Sequence, residues 1–401
     1  MVSLGPYHHS DEHPFPMDKH KERARSRMTA RFNINHRDKD LTNEDFSPSA
    51  IQEILNLDGE IRKSYESKIN CNAEALALML CLDGCFILEI LRTLGRDKFP
   101  VAEAVNYYEP IFERYKIDYT GFHILNDILM LENQIPLIIL QKLLQLELKP
   151  SDNVEKKIFE VLVKSPRSKF YPFKYDIPEN WSLQLPQQQV HHLLGLLHGL
   201  IVSPPCPDDG IGDRSDQKKD PNHVRRIPRA VDLRNAGIKF ERRLGGIKRI
   251  KFEKKSATIY LPPIQITDYT QVLFRNLIAL ELCKAFEINY VTCYLSLMDA
   301  LIDSEEDVAV LKKSEIVINY LGSDTKVAEL FNALCDGVTV SRKDAFRELK
   351  GQVYKHYKSK FKVWLAELVK EHFSSPWTSL ALAGAVLALV LTLLQTIYAM
   401  K

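Results

Sequence analysis

The chain lacks most of the short patterns that announce an enzyme. No glycine-rich phosphate loop is present; Gly245-Gly246 has neither the lysine nor the spacing. Neither G-x-S-x-G nor H-E-x-x-H occurs, so a nucleophile elbow and a helical zinc pair are excluded. No C-x-x-C pair occurs among the seven cysteines Cys71, Cys81, Cys85, Cys206, Cys283, Cys293 and Cys335. An odd number, mostly in apolar runs, predicts buried reduced thiols rather than a disulfide framework. Charge of one sign is also scarce. The net charge is +2, so nothing global calls for nucleic acid or another polyanion.

The most informative absence is local. Between Glu371 and Lys401 there is no charged residue. Ser379–Met400 is 22 residues, ten of them Leu, Ile or Val. At about 1.5 Å per residue it spans about 33 Å, enough for a hydrocarbon core of about 30 Å. The expectation is a single C-terminal transmembrane helix within 376–400. Pro376 suits its first turn, and Trp377 and Tyr398 suit the two membrane interfaces. Lys358, Lys360, Lys362 and Lys370 precede the run, against Lys401 after it, which predicts a cytoplasmic location for the bulk of the chain. Met1–Ser10 has no basic n-region and no apolar h-region of a secretory signal. The sequon Asn180-Trp181-Ser182 matters only if that part faces a secretory lumen.

Before the run, the pattern is mainly α. Ala73–Leu94 is apolar on nearly all sides, which predicts a core helix. Gly121–Leu148 is a second apolar stretch that Pro136 must kink or split. Neither is a membrane span, since Asp83 and Glu89 lie in the first, and Asp127, Glu132 and Lys142 in the second. Further helices are expected at Val190–Val202, Tyr269–Phe286, Tyr290–Leu301 and Thr325–Leu334. A long one at Arg342–Phe373 would stripe Tyr357, Phe361, Trp364, Leu365 and Leu368 along one side. Ile247–Phe252 and Ala257–Leu261 alternate around a short turn, a β-hairpin signal. Ser203–Arg226 is polar and proline-rich, an expected disordered insertion. The fold class is a multi-helix globular domain over 1–373 with one small hairpin and the anchor.

Two groups invite a chemical reading. Asp83, Asp127 and Glu132 sit where a core prefers leucine, with Asn126, Asn133 and Gln134 beside the last two. A buried carboxylate costs several kcal/mol unless paired. The three are either an acid/base set or part of a buried polar network, with arginines such as Arg92 or Arg275 as partners; the network is favoured. His191, His192 and His198 share one helix but lack a completing ligand, so no metal or other cofactor is expected. The basic run Lys19, Lys21, Arg23, Arg25, Arg27, Arg31 contains one acidic residue, Glu22, and is either a contact for phosphates or an anionic membrane surface or a solvated helix face. It has no interleaved aromatics to support nucleic-acid binding, and the solvated face is favoured.

Several segments in order resemble one plant-specific family, known as domain of unknown function 247. They are VSLGPYHHS at Val2–Ser10, MDKHK at Met17–Lys21, LMLCLDGCFILEIL at Leu78–Leu91 and NDILMLENQIPLIIL at Asn126–Leu140. HHLLGLLH at His191–His198, IPRAVDLRNAGIKF at Ile227–Phe240, FRNLIALE at Phe274–Glu281, INYLGSD at Ile318–Asp324 and SPWTSLAL at Ser375–Leu382 complete the series. The family usually carries a further stretch before the first motif, whereas Met1 abuts it here. The resemblance implies a helical plant protein with one C-terminal span and no established catalytic residue or cofactor. Some grass members are associated with self-incompatibility, so it implies recognition or signalling through a protein partner. Asp83, Asp127, Glu132, Asn133 and Gln134 are motif positions, for which it implies a folding role. The leading expectation is therefore a non-enzymatic, membrane-anchored interaction protein. An enzyme using Asp83, Asp127 or Glu132 is the alternative, and a membrane scaffold a third reading.

Overall fold

The computed structural model describes residues 2–7, 17–36, 46–94, 117–148, 172–173, 191–203, 227–284, 286–338 and 343–359, with 380, 384–385, 387–392 and 395–396 near the C-terminus. The described chain divides into two compact units. One takes Met1–Gly212, Leu244–Lys248 and Ile264–Thr292; the other takes Asp213–Arg243, Arg249–Pro263 and Cys293–Lys401. The expected domain 1–373 contains residues of both.

The first unit is built round one helix. Ala73–Leu94 (α4) packs against Asp18–Asn35 (α1), Phe46–Leu55 (α2) and Leu137–Glu147 (α6). Its nearly all-round apolar surface is what a helix surrounded by others needs. Gly84 sets the approach of α6, because a Cβ there would collide with Leu143 Cδ1 and meet Ile139 Cγ2 at 3.4 Å. Asp58–Lys63 (α3), Ile117–Leu129 (α5), Leu193–Val202 (α7) and Thr270–Cys283 (α9) complete its helices among the described residues. Pro136 splits the second apolar stretch as expected. The α5 helix stops at Leu129, a 3-10 turn covers Leu131–Asn133, and α6 starts after Pro136, which bridges to His192.

The second unit combines helices with a small sheet. Lys239–Arg242 (β1), Lys251–Glu253 (β2) and Thr258–Leu261 (β3) lie in the order β1-β3-β2. The β2–β3 pair is the expected hairpin. The parallel partner β1 was not expected, and Ile247–Arg249 is a 3-10 turn rather than strand. Ala230–Asn235 (α8), Tyr290–Leu301 (α10, whose first turn belongs to the other unit), Glu305–Lys313 (α11), Asp324–Cys335 (α12) and Arg347–Tyr357 (α13) supply the helices. The α11 helix has no apolar stripe strong enough to announce it, but Ser304 and Asp307 close a capping box at its start. Asp307 is fully buried and accepts from Val231 N–H at 2.9 Å and Ser304 N–H at 3.1 Å.

Several expectations change. The helix predicted to run from Arg342 to Phe373 ends at Tyr357, where the amides of Lys358 and Ser359 close on the Tyr354 and His356 carbonyls. Lys358-Ser359-Lys360 offers no apolar contact to carry it on. Cys81, Cys85 and Cys293 are buried free thiols, but Cys283 is exposed. Residues 204–226, the sequon at Asn180, and Trp377 and Tyr398 lie outside the described residues. Among the described residues no helix is long and apolar enough to cross a membrane. Most of 376–400 is not described. What is described there, Leu380 and Leu387–Thr392 among it, is helical and exposed.

Candidate functional site: a clamp on the N-terminal segment

The acidic and amide motif residues meet around the chain's first residues. Val2 and Leu4 are buried, so their main-chain groups leave water and need partners. Asp127, near the end of α5, accepts from Val2 N–H at 2.6 Å. Asn133, in the 3-10 turn, accepts from Leu4 N–H at 2.6 Å and donates to Val2 O at 2.9 Å and Asp127 O at 2.8 Å. Asp83, in the middle of α4 and 1% exposed, accepts from Gly5 N–H at 2.8 Å. Three side chains from three elements thus read one stretch of backbone. Hydrogen bonds to a charged acceptor contribute about 1.5–3 kcal/mol each.

Asp83 is also charge-compensated. Lys21 of α1 places Nζ 2.6 Å from Asp83 Oδ1 and donates to Ser3 O at 2.7 Å. The lysine therefore ties α1, α4 and the N-terminal segment together. Gly5 has φ +70, and a Cβ there would lie 3.2 Å from Gln134 O, so glycine fits both the conformation and the space. Beyond it, Tyr7 meets Tyr65 edge to face at 5.5 Å. Burial, with the Asp83 charge, pushes the Tyr65 hydroxyl well above its ordinary value, and that hydroxyl donates to Gln134 O at 3.4 Å. Gln134 holds the next layer. Its amide donates to Ile128 O and Met130 O at 2.6 and 2.7 Å, and its carbonyl accepts from Leu194 N–H at 3.0 Å.

Two further networks surround this one. Arg31 of α1 bonds Glu89 at 2.5 Å and Glu147 at 2.6 Å, Arg92 also bonds Glu147, and Arg27 approaches Glu89 at 3.7 Å. Glu281, on α9 and 0% exposed, accepts from Val291 N–H, Thr292 N–H and the Thr292 hydroxyl at 2.8, 2.9 and 2.7 Å. His198 Nε2 lies 2.8 Å from the same carboxylate, its ring stacked on Phe286. His192 caps α7: Nδ1 accepts from Gly195 N–H at 3.1 Å. Burial, then the nearby Lys284 and His191, lower its pKa to about 4.

The three carboxylates singled out by sequence do not form a set. Asp83 and Asp127 sit on the same segment, but Glu132, the middle residue of the 3-10 turn, is exposed. Arg92 pairs with Glu89 and Glu147 rather than with Asp83, Asp127 or Glu132. The basic run is not simply a solvated face. Lys19 and Arg23 are exposed, but Lys21 is buried and Arg27 and Arg31 are paired. The signal was available: Lys21, Ala24, Met28 and Arg31 recur at helical spacing, and Ala24 and Met28 are buried. Glu281 carries the same signature, one turn beyond the buried Leu277 and Ile278. Among the described residues no group of three or more His, Cys, Asp or Glu is placed to hold a metal ion. A cavity beside Asn126, lined by Leu125, Tyr269 and Thr270, has about 10 Å³ of room, space for about one water.

The whole-chain comparisons agree with one another. Two UPF0481 proteins of Arabidopsis thaliana match. At3g47200 is 27% identical, with 99% of this chain and 81% of that protein aligned. At3g02645 is 23% identical, with 98% of this chain and 85% of that protein aligned. No solved structure matches. The family model DUF247, described as plant protein of unknown function, matches residues 1–391 and so takes in both the clamp and the Gly5 turn. The chain belongs to the DUF247 family of plant proteins.

Proposed function

We propose that this is a membrane-anchored protein whose folded units bind another protein and catalyse no reaction. The observation that carries the anchor is the charge-free run after Glu371 together with its exposure: Leu380, Leu387 and Leu389 are 71%, 62% and 64% exposed. An array of exposed leucines in water is unfavourable, and in lipid it is the expected surface. Both threonines described there bond back to their own helix. Thr392 donates to Ala388 O at 2.7 Å and Thr396 to Thr392 O at 2.8 Å, as a helix in lipid requires. The lysines at 358, 360, 362 and 370 favour a cytoplasmic position for the rest of the chain.

What favours binding over catalysis is how the acidic motif is used. Asp83 and Asp127 each accept from a main-chain N–H group, Asp83 is paired with Lys21 as well, and Glu132 stands apart from them. Recognition between cells, of the kind self-incompatibility needs, is the finer form of the reading. Alkaline carbonate extraction tests the anchor. The full chain stays in the membrane pellet, and Leu387→Arg with Leu391→Arg moves it to the supernatant. An extractable wild-type chain sinks the anchor. Affinity purification from native plant membranes tests the binding role, and recovery of no partner from any tissue counts against it.

A further inference from the structure

Neither the clamp nor the anchor accounts for the charge on the β1-β3-β2 sheet. From Lys239 to Lys255, leaving out Leu244–Lys248 of the first unit, the sequence holds seven Lys or Arg and two Glu, a net of +5 in a chain whose total is +2. Strand register sorts these side chains. Phe240, Ile259 and Phe252 align across the three strands and are buried, which defines the inner face. The other face carries the row Glu241, Tyr260, Lys251 and the row Lys239, Thr258, Glu253. Lys239 is exposed on it, Arg243 and Lys251 are half-exposed, and Lys254 and Lys255 project from the turn between β2 and β3. Arg242 shares the parity of Phe240, so it does not belong to this face, and it pairs with Glu315 at 2.7 Å. Lys251 Nζ lies 5.4 Å and Arg243 Cζ 6.0 Å from the centre of the Tyr260 ring. Such a cluster, with its cations and a tyrosine at one level, has the composition of a surface that settles among headgroups.

We propose that this face docks on the anionic phospholipid headgroups of the bilayer that holds the C-terminal run, an inference that rests on the anchored reading. Charge complementarity is the first argument, since juxtamembrane Lys and Arg are drawn to an anionic leaflet. Position is the second. Within this unit β2 packs on α13, with Phe252 edge to face with His356 at 5.8 Å. The chain leaves α13 at Tyr357 and continues through Lys358, Lys360, Lys362 and Lys370 to Pro376. The basic sheet is therefore fixed to the helix from which the chain reaches the bilayer, and the intervening residues, with four Lys against Glu367 and Glu371, are net positive as well. A lone tyrosine offers no series of stacking platforms, which disfavours nucleic acid as the occupant.

The test uses the full chain in vesicles of phosphatidylcholine alone, and in vesicles with about one-third phosphatidylserine. Exposed amines are acylated and each site is read by mass spectrometry. Labelling of Lys239, Lys254 and Lys255 falls about fivefold with phosphatidylserine and recovers near about 0.5 M salt. Lys63 of α3, exposed on the other unit, is the reference and does not change. In Lys254→Glu with Lys255→Glu, Lys239 loses its lipid dependence while the protein stays with the vesicles. Equal labelling in both vesicles, or lipid-dependent protection that survives the variant, overturns the proposal. A chain that fails to associate with phosphatidylcholine vesicles refutes the anchor instead. In that case salt-reversible binding to the phosphatidylserine vesicles still supports the docking face, and its absence overturns it.

Discussion

Asp83 and Glu281 are both carboxylates buried to about 1% exposure or less, and both capture main-chain N–H groups. They differ in reach and in compensation. Asp83 holds a segment 78 residues earlier and is neutralised by Lys21. Glu281 holds Val291 and Thr292, ten and eleven residues later, at the start of α10, and its neighbours are a threonine hydroxyl and His198. The first fastens a strap to a finished helical core. The second joins consecutive helices. Loss of the first should release a few residues; loss of the second should unfold more than it touches.

The largest effect is therefore expected at Glu281. Glu281→Leu leaves two amides and a hydroxyl unsatisfied in a fully buried place, at a cost of about 3–5 kcal/mol. Urea unfolding followed at the first unit should show its unfolding free energy lowered by that amount. If the shift is under about 1 kcal/mol, the site is a passenger and the comparison fails.

Asp83→Asn keeps an acceptor for Gly5 N–H but strands the Lys21 cation, and should cost about 2–4 kcal/mol. Adding Lys21→Met removes the orphan charge. The double variant should recover about 1–2 kcal/mol, the coupling that a contacting pair shows in a double-mutant cycle. Strict additivity would mean that the 2.6 Å pair contributes nothing beyond packing.

Gly5→Ala sharpens the distinction further. The alanine must adopt φ near +70 with its Cβ close to Gln134 O, a strain of about 1–2 kcal/mol. Because the strap is a local unit, the effect should be seen as faster amide exchange at Val2 and Leu4, with little change in the global midpoint. A global loss equal to the local one would show that strap and core unfold together.

How much of this was readable in sequence depended on the range of the interaction. Ala73–Leu94 and Tyr290–Leu301 were legible to the residue, because apolar periodicity is a property of the segment itself. Pro136 announced its own break. The hairpin showed through its alternation and turn, but β1 did not, since only Phe240 of its four residues is buried and its parallel partner is far along the chain. The clamp was half legible. Asp83, Asp127, Asn133 and Gln134 stood out as polar residues in apolar runs, yet nothing local said that their partner was Val2–Gly5. Lys21 was missed because a basic run reads as solvent-facing unless its helical phase is followed through Ala24 and Met28.

His192 gives the smallest effect and separates the strap from the layer behind it. Its ring is held unprotonated by burial and by Lys284, with Nδ1 accepting the Gly195 N–H at the start of α7. Its pKa is about 4 in the folded chain, against about 6.5 when unfolded. Between these values the unfolded state binds the extra proton. Stability is therefore full above about pH 6.5 and falls as the pH drops towards 4. The ring is only partly sealed from water, so the loss should be about 1–2 kcal/mol. His192→Asn caps a helix without titrating, and it should flatten this part of the stability profile while leaving amide exchange at Leu4 unchanged at pH 7. If the slope between pH 4 and 6.5 survives the substitution, another group sets the acid limit of the first unit. If exchange at Leu4 rises instead, the α7 cap and the N-terminal strap are one cooperative structure, joined through Gln134, which accepts from Leu194 N–H on one side and the Tyr65 hydroxyl on the other.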